Sequence, residues 1–130
     1  MSNIPKVYKD FCATFSTQID LHDKLHYVAT LSSGLVTLVA GKAAVCLGII
    51  DEEVLATSTT EKTVRIQIGG IARVKTGGNI TALDYVIADT DGTVITDDAA
   101  NQFVVGMALE DGTDGDIISV RLILAPTTTA

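Results

Sequence analysis

Two histidines stand four residues apart in "HDKLH", residues 22–26. On a helix that spacing puts both imidazoles on one face, as in the zinc-binding HExxH pattern. Here Asp23 replaces the glutamate and shortens any base, and no third ligand follows at a useful distance. The chain then reads on as "LHYVATL", a strand. Residues four apart on a strand share a face but lie too far apart for one metal, so His22 and His26 read as solvent-facing side chains. "DTDGT" (89–93) and "EDGTDGD" (110–116) alternate carboxylates with glycines, as calcium loops do. Neither supplies the closing bidentate glutamate in register, and Asp-Gly pairs are hairpin turns. Cys12 and Cys46 lie among apolar neighbours with no CxxC or Cys/His grouping. They read as reduced, buried small hydrophobes in a chain folded in the cytosol. P-loop, dinucleotide and GxSxG patterns are missing. No catalytic residue, metal ligand or cofactor site is therefore expected.

The elements around these residues are strands. Val, Ile and Thr make up 43 of the 130 residues, and these types favour pleated, half-buried positions. In "TVRIQIGG", Val64, Ile66 and Ile68 alternate with Arg65 and Gln67; in "ISVRLIL", Ile118, Val120, Leu122 and Leu124 alternate with Ser119 and Arg121. Such alternation marks a half-buried strand. Further strands are predicted near 26–31, 35–40, 43–50, 71–75, 84–88, 93–96 and 103–109, separated by turns such as Ser33-Gly34, Gly69-Gly70 and Asp91-Gly92. Helix is confined to short candidates at "TALD" and within 5–15 or 20–25. The fold class is mostly β: a small barrel or sandwich over residues 25–124, an N-terminal arm over 1–24, and a C-terminal tail over 125–130.

One sentence is written twice. "VCLGIIDEEVLATSTTEKTVRI" (45–66) and "VVGMALEDGTDGDIISVRL" (104–122) share an apolar run, a glycine, an acid and a Val-Arg-aliphatic ending. Aligning Gly48 with Gly106 also aligns Ile49 with Met107 and Glu52 with Glu110. A two-residue gap then places Val64-Arg65-Ile66 on Val120-Arg121-Leu122, and "AGKAAV" (40–45) answers "DGTVI" (91–95). Two weakly related strand units closing around one core are expected, with the glycines at bends or close backbone approaches.

Charge narrows the function. The net charge is −7, and from Asp84 onward nine acids face one base, Arg121. Such a surface repels phosphate backbones, which argues against direct nucleic-acid binding. The start, "MSNIPKVYKDFCATF", lacks the apolar core of a signal peptide, and no run approaches membrane-spanning length. No membrane partner is expected.

The ordered set "DLHDKLHYVATL" (20–31), "VCLGIIDEE" (45–53), "VRIQIGGIARVKTGGNITALDYVIADTDGTVI" (64–95) and "FVVGMALEDGTDGDIISVRLIL" (103–124) resembles the small decoration, or cement, proteins of tailed-bacteriophage capsids. The resemblance implies a structural virion protein on the capsid exterior, made in the host cytoplasm. It further implies the major capsid protein as partner, a homotrimer at threefold and quasi-threefold positions, and stabilisation of the expanded shell. Residues 1–19 fall outside the matched pattern. They carry Ile4, Val7, Tyr8, Phe11 and Phe15, and Val7, Phe11 and Phe15 are spaced by four, as on one face of a short helix. That face either covers the open end of its own β unit or reaches a capsid subunit or sister copy. Competing readings are a metal-dependent hydrolase using His22 and His26, a tail or neck component, and a carbohydrate- or cell-surface-binding module. The absence of Trp disfavours the last, because sugar sites stack on aromatics.

Overall fold

The computed structural model describes residues 11–42, 44–97 and 102–126, and among them every regular element is a strand. The first five are β1 (Cys12–Thr17), β2 (Val28–Ser32), β3 (Leu35–Leu38), β4 (Gly48–Ile50) and β5 (Lys62–Gln67). They close into a barrel in the order β1-β3-β2-β4-β5. The second five are β6 (Ile71–Lys75), β7 (Tyr85–Ala88), β8 (Val94–Thr96), β9 (Phe103–Ala108) and β10 (Ile117–Pro126). Their sheet order is β6-β10-β9-β7-β8.

The two units repeat one topology. In each, the first strand pairs antiparallel with the last: Cys12–Thr17 against Gln67–Lys62, and Ile71–Lys75 against Arg121–Ile117. The first strand also meets the third in parallel, at Thr17–Val36 in one unit and through the isolated Thr76–Val94 bridge in the other. Interiors match as well. Leu21, Ala29, Val36, Ile50, Val64 and Ile66 fill the first barrel. Ile80, Val86, Val94, Ala108, Ile118 and Val120 hold the corresponding places in the second. Burying each such aliphatic side chain contributes about 1.5–3 kcal/mol. Val28, Val39, Cys46 and Ile49 belong to the second unit's cluster rather than the first's. They leave the first barrel's wall outward and bond the two units into one core.

The repeat is real, and its register needs correction. The position a Cβ would take on Gly48 meets the carbonyl of Gln67 and Cγ2 of Ile66; on Gly106 it meets the carbonyl of Arg121 and Cγ1 of Val120. Ile66 therefore answers Val120, not Leu122. The error is two residues, which keeps every side chain on its own face, so alternation cannot detect it. Likewise "DGTVI" leads into β8, the counterpart of β3, whereas "AGKAAV" precedes β4.

Residues 12–17 are a second correction. They form β1, not a turn of helix through Phe11 and Phe15. β5 offers all six residues a ladder of backbone partners, with β3 met at Thr17, and that long-range pairing outweighs local spacing. The helix candidates at 20–25 and "TALD" are turns. Ile68 and Gln67 also exchange expected roles. Ile68 is exposed, while Gln67 is buried with Nε2 donating to the carbonyls of Gly69 (3.0 Å) and Ile71 (2.8 Å). The second unit covers Gln67's outward face, so its amide is satisfied by the connection between units.

Candidate functional site

The histidines do not converge. His22 Nδ1 lies 2.8 Å from Asp20 Oδ1 on an exposed turn, and this contact raises its pKa. His26 sits at φ 75°, half-buried, with Nδ1 3.1 Å from the Arg73 carbonyl oxygen. Burial lowers its pKa. Among the described residues, no group of three or more His, Cys, Asp or Glu side chains could hold a metal ion.

The acidic turns direct their carboxylates at their own backbone. Asp91 Oδ1 accepts from the Thr93 hydroxyl (2.6 Å) and amide (3.1 Å), which hold its pKa below the ordinary value. Glu110 Oε2 accepts from the Ser119 amide (2.8 Å) and from Arg73 (3.1 Å), and its pKa is likewise lowered, first by the amide. Asp116 Oδ2 accepts from the Thr113 amide at 2.8 Å, and Asp111 Oδ1 from the Ala82 amide at 2.8 Å. Glu52 repeats the Glu110 device in the first unit, accepting from the Arg65 amide at 2.9 Å. Asp91 and Asp116 brace their own turns, Asp111 ties two turns together, and Glu110 and Glu52 fasten loops to strands.

Both cysteines are free. Cys46 is buried, and burial pushes its thiol up to about 12. Cys12 is half-buried beside Asp51, and burial, then the carboxylate, raise it too. The thiolate is disfavoured at both positions.

Of the apolar residues expected to make contacts, Ile4, Val7 and Tyr8 lie outside the described residues. Phe11 is exposed and lays its ring on Gly69 and Gly70, while its carbonyl accepts from the Ile68 amide at 2.7 Å. Phe15 is partly buried, packed against the first barrel's interior.

Sequence reading missed two apolar surfaces. One is a shallow groove between β2 and β4, lined by Thr30, Leu31, Val45, Cys46 and Leu47. The other lies on the second unit, where Leu83 and Tyr85 run alongside Met107 and Leu109 of the β9 end, all but Met107 clearly exposed. Equivalent positions carry apolar residues in both units but are buried in only one. Exposed apolar groups grouped this way mark interaction surfaces.

A family model described as phage cement protein matches residues 21–122. No curated protein matches by sequence. Among solved structures, the N base of head fiber gp8.5 from bacteriophage phi29 is similar at a TM-score of 0.72 and 16% identity, over 91% of this chain and 99% of that one. At that identity the likeness is one of fold. It spans both barrels and shows that the doubled architecture is not peculiar to this chain.

Proposed function

The chain belongs to the phage cement protein family, virion proteins of the capsid exterior, and from that premise we propose that it binds the major capsid protein of an assembled head, as a homotrimer, and holds neighbouring subunits together. The observation that carries this reading is the family match across both barrels. Physical features agree with it. Two closed or nearly closed units leave few free strand edges, which suits a protein displayed at high density. The acidic second unit repels nucleic acid and other particles. Apolar surfaces remain open on both units. The fold-level likeness to a head fiber base points the same way, toward a role on a phage head. The reading is structural, with no reaction assigned.

Phe11, together with Ile4, Val7 and Tyr8 before it, forms part of the contact surface in this proposal. Since β1 begins at Cys12, removal of residues 1–10 should leave the barrels folded and reduce attachment. The test adds purified protein to heads that lack it. Saturable binding at a fixed copy number, with a higher temperature of shell rupture, is the expected result, because a ligand of the assembled shell stabilises it by mass action. Bound protein without any gain in shell stability would remove the clamping role. Absence of binding to heads would remove the proposal.

A further inference from the structure

Aspartate stands directly before glycine at Asp91-Gly92, Asp111-Gly112 and Asp114-Gly115, all within the second unit. Such a pair can react with itself. Glycine has no Cβ to hold its amide nitrogen away from the preceding carboxyl carbon. The reaction needs a carboxyl group free to turn and a peptide free to move with it, and the fold treats the three pairs differently.

Two of them are held. Asp91 Oδ1 accepts from the Thr93 hydroxyl and amide, and the Gly92 amide donates to the Asp89 carbonyl at 3.1 Å. Gly92 is buried, with Tyr27 and Leu38 against the position of its absent Cβ. The bonds from Thr93 also lower the Asp91 pKa, leaving less of the neutral carboxyl that reacts. Asp111 Oδ1 accepts from the Ala82 amide at 2.8 Å. Gly112 exchanges two backbone bonds with Ile80, at 2.8 and 2.9 Å, and Ile118 lies against it. The third pair is loose. Asp114 and Gly115 are both exposed. The Asp114 carboxylate has no hydrogen bond or ion pair among the described residues, and none of these comes within 4 Å of the Cβ position on Gly115. One bond, from the Gly115 amide to the Thr76 carbonyl at 3.0 Å, holds this peptide.

We infer that Asp114 is the position at which the folded chain isomerises to isoaspartate. The Gly115 nitrogen attacks Cγ of Asp114. A C–N bond forms, and the amide proton and the carboxyl hydroxyl leave as water. The resulting succinimide takes up water again at either carbonyl. Opening at Cγ restores aspartate. Opening at the former main-chain carbonyl gives isoaspartate, whose backbone runs through Cγ and is longer by one methylene. Mass is unchanged, and water is the one co-reactant. The added methylene falls inside the turn that fastens Thr76. Asp116 donates its amide to the Thr113 carbonyl and to Thr76 Oγ1, both at 3.0 Å, and its carbonyl accepts from the Thr76 amide at 2.8 Å. Lengthening the chain between Thr113 and Asp116 takes these partners out of register, so isomerisation loosens the closure of the second unit. A protein already displayed on a virion is not replaced, so the change accumulates with age.

The experiment ages the purified full chain at physiological temperature and neutral pH, once folded and once in guanidinium chloride. Isoaspartate is then located by electron-transfer fragmentation of its peptides. Unfolded, all three pairs should isomerise at similar rates. Folded, Asp91 and Asp111 should react at least about tenfold more slowly than Asp114, because their charge-assisted hydrogen bonds must open first. The aged natural chain should melt at a lower temperature than the fresh one. Asp114→Glu keeps the charge but closes the corresponding ring far less readily, and should keep its melting temperature on ageing. Asp91 or Asp111 reacting as fast as Asp114 in the folded chain would overturn the assignment. So would a folded chain that forms no isoaspartate at 114 while the unfolded chain does. An aged chain that carries isoaspartate at 114 yet melts like the fresh one would overturn the loosening of the turn.

Discussion

Gly48 and Gly106 are held by backbone, not by side chains that could move aside. A methyl group at Gly106 would enter the carbonyl of Arg121 and Cγ1 of Val120, and one at Gly48 the matching groups of Gln67 and Ile66. Gly106→Ala and Gly48→Ala should each lower stability by about 1–3 kcal/mol through overpacking. Gly41→Ala, where none of the described residues comes within 4 Å and φ is not positive, should change it little. Denaturant midpoints of the three variants check this. His26 has its own signature. Burial places its folded pKa below the ordinary 6.5, so below that value the unfolded chain binds the extra proton and stability falls as pH drops. His26→Asn, with a residue that tolerates positive φ, should lose less stability than the natural chain on going from neutral pH to just below 6.5. His22 is shifted upward by Asp20 and acts in the opposite sense. It is common to both chains and cancels in the comparison. Equal pH slopes would refute the assignment.

At the scale of elements, a buried threonine closes the sheet at the end of each unit's first strand, as the last residue of β1 and the residue just past β6. Thr17 Oγ1 donates to the Val36 carbonyl at 2.9 Å. Thr76 Oγ1 serves three backbone groups, meeting the carbonyls of Thr113 and Asp116 and accepting from the Asp116 amide. An unsatisfied buried polar group costs about 1–3 kcal/mol, so Thr76→Val should destabilise more than Thr17→Val. Thermal melts of both variants decide the order, and equal losses would count against it. These strands also show what the sequence could and could not convey. β6 and β10 alternate in plain view, because each has one face on a core and one in water, whereas β5 alternates only as far as Ile66, since Gln67 is buried. β1 hid behind a helical spacing of aromatics, since nothing local in "CATFST" announces that its partners lie fifty residues downstream. The repeat was visible at Gly48 and Gly106, but its register was not, as a two-residue shift changes no face. The exposure of Leu31 and Val45 was illegible for another reason. Only the folded pair shows that one copy of a surface is covered and the other is not.

For the molecule as a whole, one cluster of buried side chains draws on both units. The barrels should therefore unfold as one, with equal calorimetric and van't Hoff enthalpies. A fragment ending at Gln67 would expose Val28, Val39 and Ile49 and should aggregate; two resolved transitions in the full chain would contradict this. The pairing of first strand with last has a mechanical consequence. Cys12 lies beside Gln67, and Ile71 beside Arg121, so the chain enters and leaves each barrel at the same end. Tension on that backbone loads the closing ladder one bond at a time, as in opening a zipper, rather than shearing all its bonds together. In an optical trap, a barrel pulled through residues 11 and 68 should open at much lower force than one pulled through residues 11 and 62. A protein built this way resists load poorly along its own chain. A load is better carried sideways, through the walls of the barrels.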